Sequence, residues 1–220
     1  MNPFIVATEI IRGKDLYRIF MNAECSNHSI SGITLDVGSG RKLASYYRFL
    51  KKNGEGIKLE RLDLGFDSKD MGKIINLEKD ALPFSPDETD TLLLFNVLEH
   101  LYNYRHVLTE IKRVLKPGGK LVGAVPFLVP FHPDPHDYWR YTVESLEKIF
   151  SEQGFVQIKI RSFGYGPAVA AFAQIEGVIP RIVKLVVLPF VFLFDWLITS
   201  FRPKLGKNKF CLGVFFSVSK

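Results

Sequence analysis

The stretch ITLDVGSGRKLASYYRFLKKN, Ile33 to Asn53, decides the fold. A short apolar run leads into a Gly-Ser-Gly turn, and then Leu43, Tyr46, Tyr47 and Leu50 recur at helical spacing. Strand, glycine turn and helix in that order open a βαβ unit. Glycines at the turn let the backbone approach a ligand closely, and a following helix aims its first amides at it. One such turn is also an ordinary strand-to-helix connection, so the pattern around it has to carry the argument.

The pattern repeats downstream. IKLERLDL reads as a second strand and TLLLFNV as a buried one. HVLTEIKRVLKPGG reads as a helix stopped by Pro117 and Gly118, and KLVGAVP as another strand. TVESLEKIFSEQGF reads as a helix capped by Thr142 and ended by Gly154. FVQIKIRSF and KFCLGVFFSVS supply two more strands, and the apolar spacing of the first thirty residues predicts a helix laid against the domain. Alternating strands and helices predict an α/β fold: an open, doubly wound, mainly parallel sheet covered on both faces. Between the last two strands, 164–208 is too long for a hairpin and too apolar for a linker, so it reads as an insertion.

Composition narrows the classes. The chain has 220 residues, 47% hydrophobic and 24% charged, with only Cys25 and Cys211 as cysteines. That usage and an N-terminus without a signal-like pattern predict a reducing, cytoplasmic setting. Net charge is +6, and the excess lies beyond residue 160, where eight basic residues face two acidic ones. The body is therefore neutral, which speaks against nucleic acid as a partner. A basic and apolar neighbourhood instead suits anionic lipid headgroups.

LDVGSG, LDL, LEKDALPF, FNVLEHL and LKPGGKLV occur in that order. Together they resemble class I S-adenosylmethionine-dependent methyltransferases of the type 11 subgroup, over about 33–155. The resemblance implies a Rossmann-like seven-stranded sheet with an antiparallel last strand. It also implies S-adenosyl-L-methionine as cofactor. On the family's pattern, Asp36, Gly38, Ser39 and Gly40 hold the cofactor's amino-acid end and Asp63 its ribose. Asn76 and Leu77 lie in the stretch that cradles adenine, and Asn96 lies beside the methionine part. Lys42 stands where the family often has a third glycine, and Glu78, Asp80 or Asn76 could supply the acid before LPF. The chain then divides into an N-terminal helical segment (1–30), a cofactor-binding core (33–163), the insertion (164–208) and a last strand (209–219).

Two polar clusters invite chemistry. Glu99 and His100 read as structural, fixing the turn after the fourth strand. FHPDPHDYWRYT, Phe131 to Thr142, follows the fifth strand, at the edge where open sheets bind ligands. Pro133 and Pro135 forbid the helix that would align His132 with His136, so no metal site is predicted. Asp137 and Arg140 either pair to pin the loop or, as in type 11 relatives, serve the acceptor side. On the latter reading His132, Tyr138 and Arg140 contact substrate. A hydroxyl acceptor needs help losing its proton, and His136 or Asp137 are the candidate bases.

IVKLVVLPFVFLFDWLITSF, Ile182 to Phe201, is long and apolar enough to span a bilayer. Crossing there would strand the final strand on the far side of the membrane, so crossing is not expected. Arg181, Lys184, Asp195 and Arg202 fall within about 60° on a helical wheel, leaving a wide apolar face. The segment can lie in a membrane interface, as a peripheral contact at the inner face, or pack on the domain or a second subunit in a homodimer. These features predict a methyltransferase acting on a small or lipid-linked hydrophobic acceptor, at oxygen. The competing expectation is a non-catalytic protein that keeps the fold and uses the insertion for docking.

Overall fold

A computed structural model describes residues 3–38, 43–62, 75–205 and 209–220. Ser39, Gly40, Lys42 and Asp63, singled out above, lie outside these residues. Eight strands are described: β1 Ser29–Ile30, β2 Ile33–Val37, β3 Lys51–Lys52, β4 Lys58–Leu62, β5 Thr89–Phe95, β6 Leu115–Pro126, β7 Val156–Gly164 and β8 Cys211–Ser219. Six helices accompany them: α1 Pro3–Ile11, α2 Leu16–Cys25, α3 Tyr104–Val114, α4 Val143–Glu152, α5 Pro167–Ile175 and α6 Arg181–Phe201.

The main sheet runs β4-β2-β5-β6-β8-β7. Pairings from β4 through β6 are parallel, and β8 is antiparallel to both neighbours. The sheet therefore has the expected doubly wound form and antiparallel last strand, with six strands among the described residues. From central β2 the chain moves out to β4 and then returns to β5 on the other side. That reversal leaves a crevice at the carboxyl ends of β2 and β5, where such sheets bind ligands.

Alternation along the strands sorts the core into two layers. Leu92 and Leu94 face α3 and α4, packing with Val107, Ile111, Leu146 and Phe150. Leu93 and Phe95 face the other way, against Leu16, Ile19, Phe20 and Val169. Each such fully buried Leu or Phe contributes about 1.5–3 kcal/mol of burial energy, so both faces need helices. α4 starts as its sequence requires, with the Thr142 hydroxyl accepting from the Ser145 amide at 3.1 Å.

Three local expectations are corrected. The N-terminal segment forms two helices, broken at Gly13, which takes a positive φ of 79°. The helix expected after the glycine turn is, in the described residues, a single 3-10 turn, Ser45–Arg48, followed by β3. Tyr46 and Leu50 are buried and Tyr47 half-buried, while Leu43 is exposed, so the spacing held in part and the element was wrong. The helix ending HVLTEIKRV stops at Val114, before Pro117, because LKPGG already pairs as the start of β6.

The segment between β7 and β8 is helical and turns the expected stripe inside out. Asp195 of α6 is fully buried and accepts from the Ala168 and Val169 amides at 2.7 and 2.8 Å. It thus satisfies the first turn of α5, whose own N-cap, Gly166, brings no side chain. A Cβ on Gly166 would sit 2.7 Å from the Asp195 carboxyl carbon, so this close approach needs glycine. Lys184 turns inward to Glu176 at 3.4 Å. The apolar face, including Ile182, Val186, Phe190, Phe194 and Phe201, is left exposed.

Candidate active site

The crevice opens into a cavity of about 920 Å³ walled by Gly38, Phe95 and Asn96 from the strand ends. Both chain reversals that form this edge use the left-handed region. Gly38 has φ 79° while its amide donates to Leu62 at 2.8 Å. Asn96 has φ 55°, a conformation its short polar side chain tolerates, with its amide on Ala124 at 2.9 Å.

Asp36, the last but one residue of β2, is fully buried. Its Oδ2 accepts from the Tyr46 hydroxyl at 2.6 Å and from the Tyr47 hydroxyl, whereas Oδ1 is buried without a partner. Burial pushes the carboxyl up to about 6, against the pull of the two donated hydrogen bonds. A buried acceptor left open on one side costs free energy unless a donor arrives. Asn96 is held from above: its Oδ1 accepts from the Tyr17 hydroxyl, and Tyr17 lines the cavity from α2.

Glu99 follows in a 3-10 turn, Leu98–His100, and is also fully buried. Neither carboxylate oxygen has a hydrogen-bond partner. Burial is the main cause pushing its carboxyl up to about 8. Facing Oε1 are His100 Nε2 at 3.7 Å and His132 Nε2 at 4.0 Å. Both imidazoles line the cavity.

The remaining predicted residues fall elsewhere. Asn76 is exposed and its Oδ1 accepts from the Glu78 amide at 2.9 Å, closing its own turn. Leu77 is buried in the layer under α3. Glu78 and Asp80 brace this turn, Glu78 accepting from the Asn103 amide at 2.8 Å and Asp80 from the Asn76 amide at 2.9 Å. His136, Asp137, Tyr138 and Arg140 are not among the cavity walls. Asp137 binds Arg140 through both its oxygens and accepts the His132 amide at 3.0 Å. The Arg140 guanidinium holds its carboxyl down at about 2, so it is too weak a base to take a hydroxyl proton. The expectation of Asp137 as base is corrected: it pins the loop. His136 presents its carbonyl to His100 Nδ1 and stacks its ring on Tyr138. Tyr138 donates its amide to the Glu99 carbonyl at 2.8 Å, bringing the loop onto the turn.

Sequence reading missed Tyr17, Tyr46, Tyr47 and Glu176. The tyrosine pair was visible only as a helical face. Glu176 follows α5, lines the cavity, and accepts the Leu16 amide at 2.8 Å, tying the insertion to the first turn of α2.

A doubly wound sheet in this order, with a glycine turn and an acidic residue at the central strand end, defines the class I S-adenosylmethionine-dependent methyltransferase fold. Residues 35–123 match the family model described as "Methyltransferase domain". A demethylmenaquinone methyltransferase of Staphylococcus saprophyticus is 29% identical over 133 residues, covering 46% of this chain and 57% of that protein. An uncharacterised protein of Methanocaldococcus jannaschii is 35% identical over 91 residues, 41% of this chain and 42% of its own length. The chain thus spans less than two thirds of these relatives. Among solved structures, phosphoethanolamine N-methyltransferase 2 of Haemonchus contortus, in complex with S-adenosyl-L-methionine, superposes with a TM-score of 0.53. It is 17% identical and covers 91% of this chain and 51% of that one, a likeness of fold.

Proposed function

We propose that this protein is an S-adenosylmethionine-dependent methyltransferase whose acceptor is a small or lipid-linked hydrophobic molecule, methylated at oxygen. The observation that carries the cofactor assignment is the orphaned Asp36 Oδ1, buried beside the Gly38 turn. A carboxylate oxygen with no donor is what an ammonium group requires, and the cofactor's amino-acid end bears one. Gly38 gives the backbone the close approach, and Asn96 offers its amide above. Bound there, the cofactor supplies a methyl group on a sulfonium, ready for in-line displacement. The chain's task is then to hold the acceptor in line and keep water out. Two imidazoles, His100 and His132, stand on the wall of this cavity.

The acceptor class rests on the insertion. Its α5 end, through Ala173, Gln174 and Glu176, walls the same cavity, while α6 offers an uncovered apolar face. A second, more apolar cavity of about 860 Å³ lies between α1, α2 and α6, lined by Val6, Ile10, Phe20, Leu188 and Phe192. Phe20 is one helical turn from Tyr17 of the first cavity, which brings an apolar tail site close to the methyl-transfer site. α6 meets the length and hydropathy of a membrane span with only 11% of its apolar window buried. Lying flat, it would work as a peripheral contact at the cytoplasmic face of a membrane.

Incubation with labelled cofactor and a lipid extract, followed by mass analysis of the product, tests this reading. A labelled, solvent-extractable methyl ether is expected. Label found only in water-soluble compounds would overturn the lipid-linked acceptor.

A further inference from the structure

Three groups able to ligate a metal converge beside the cavity wall. His132 Nδ1 lies 2.9 Å from the Pro130 carbonyl, and His100 Nδ1 contacts the His136 carbonyl. A carbonyl only accepts, so each Nδ1 is the donor in these contacts and each ring turns its Nε2 toward Glu99. Between them stands Glu99, fully buried with both oxygens unpartnered. Among the described residues, one ligand atom from each of the three lies within 4.8 Å of the others. A buried carboxyl without a hydrogen-bond partner costs free energy, and a cation held between it and the two imidazole nitrogens would satisfy all three groups by coordination.

We infer that Glu99, His100 and His132 form a binding site for a divalent first-row transition metal, opening on the cavity. Two imidazoles and one carboxylate suit zinc, iron, manganese or cobalt, and three protein ligands leave positions free for a small molecule. Metal–ligand bonds of about 2.0–2.2 Å set tetrahedral ligand atoms roughly 3.4 Å apart. The 3.7 and 4.0 Å separations here need only a small rotamer adjustment to close. The carbonyls behind both Nδ1 atoms supply the outer hydrogen bonds that fix tautomer and ring orientation in metal sites. The His-Pro-Asp-Pro-His run, which rules out a helical pair of His132 and His136, instead carries His132 across to the Glu99-His100 turn. The free positions face the cavity, so the matching ligand class is a small molecule presenting a hydroxyl or carbonyl oxygen, whose acidity the metal would raise. That last assignment rests on the proposed reaction; the metal site itself does not.

The full chain, treated with chelator and exchanged into buffer, is titrated with Co²⁺ alone, without the methyl donor. Visible absorption and calorimetry follow uptake. One equivalent at micromolar affinity is expected, at least tenfold weaker in His132→Ala and His100→Ala and unchanged in His106→Ala. His132 is a partly exposed loop residue, so its variant carries the test even where His100→Ala fails to fold; circular dichroism checks both. No saturable uptake at millimolar Co²⁺, or equal uptake by wild type and His132→Ala, overturns the site. Cofactor binding is measured separately, so failure of the methyl-donor assignment is distinguishable from failure of the metal site.

Discussion

The strand edge and the outer helix depart from ordinary folding rules in opposite ways. At the edge, Asp36 Oδ1 and both Glu99 oxygens are buried without partners. On α6 the polar group is well satisfied, since Asp195 holds two amides of α5, while the large apolar side chains face outward. A soluble domain normally pairs its buried polar atoms and covers its apolar stripes. The first departure calls for a polar or cationic ligand, and the second for an apolar surface. The two regions are joined through the insertion, which carries α6 and also walls the cavity beside the strand edge through Glu176.

The comparison breaks most visibly on the outer helix. Phe190→Asp, Phe194→Asp and Phe201→Asp together should reduce binding to anionic vesicles at least 100-fold. Burial of such side chains is worth about 1.5 kcal/mol or more each. A flotation assay with unchanged thermal melting checks this, and undiminished vesicle binding would remove the membrane contact. Asp195→Ala leaves two amides unsatisfied, one of them buried, and should cost about 2–3 kcal/mol in a urea titration. A loss under about 0.5 kcal/mol would mean that Asp195 is no cap.

Asp36 sharpens the other side. Its carboxyl is raised to about 6, so the folded state holds the proton more tightly than the unfolded chain does. The Asp36 contribution to stability should therefore fall as pH rises from about 4 to about 6 and then level off, by on the order of 2–3 kcal/mol. Asp36→Asn should lack that slope, so its stability relative to wild type rises across the window. Parallel curves from urea midpoints would contradict the buried, orphaned carboxylate. The smallest effect is Tyr46→Phe, which removes one donor to Asp36 and should cost roughly 1–2 kcal/mol, read from the same titration.

How much of this was legible in the sequence follows from the range of the interactions. Strand alternation and the glycine turn are local, so β2, β5 and β6 could be read directly. Gly38 was legible from its turn at a strand end, and Asp36 and Asn96 came from the resemblance to the methyltransferase family. The glycine-turn helix was misread because Tyr46 and Tyr47 keep helical spacing while serving Asp36 from a single 3-10 turn. The polar stripe on α6 was legible, but which way it faces was not. Whether Asp195 meets water or the amides of Ala168 and Val169 depends on packing 26 and 27 residues away. For the same reason Asp137 looked like a base until Arg140 was seen to claim both its oxygens, and Glu99, His100 and His132 looked unrelated. Tyr17 had no local signal, since its partner Asn96 lies 79 positions on.

The most direct test is calorimetric titration of the full chain with S-adenosylmethionine, beside Asp36→Ala. Saturable binding to one site in the wild type is expected, weakened roughly 10- to 100-fold in Asp36→Ala, as for loss of a hydrogen bond to a charged group. Absence of binding at millimolar cofactor, or equal affinity in the two proteins, would contradict the assignment of this strand edge to the methyl donor.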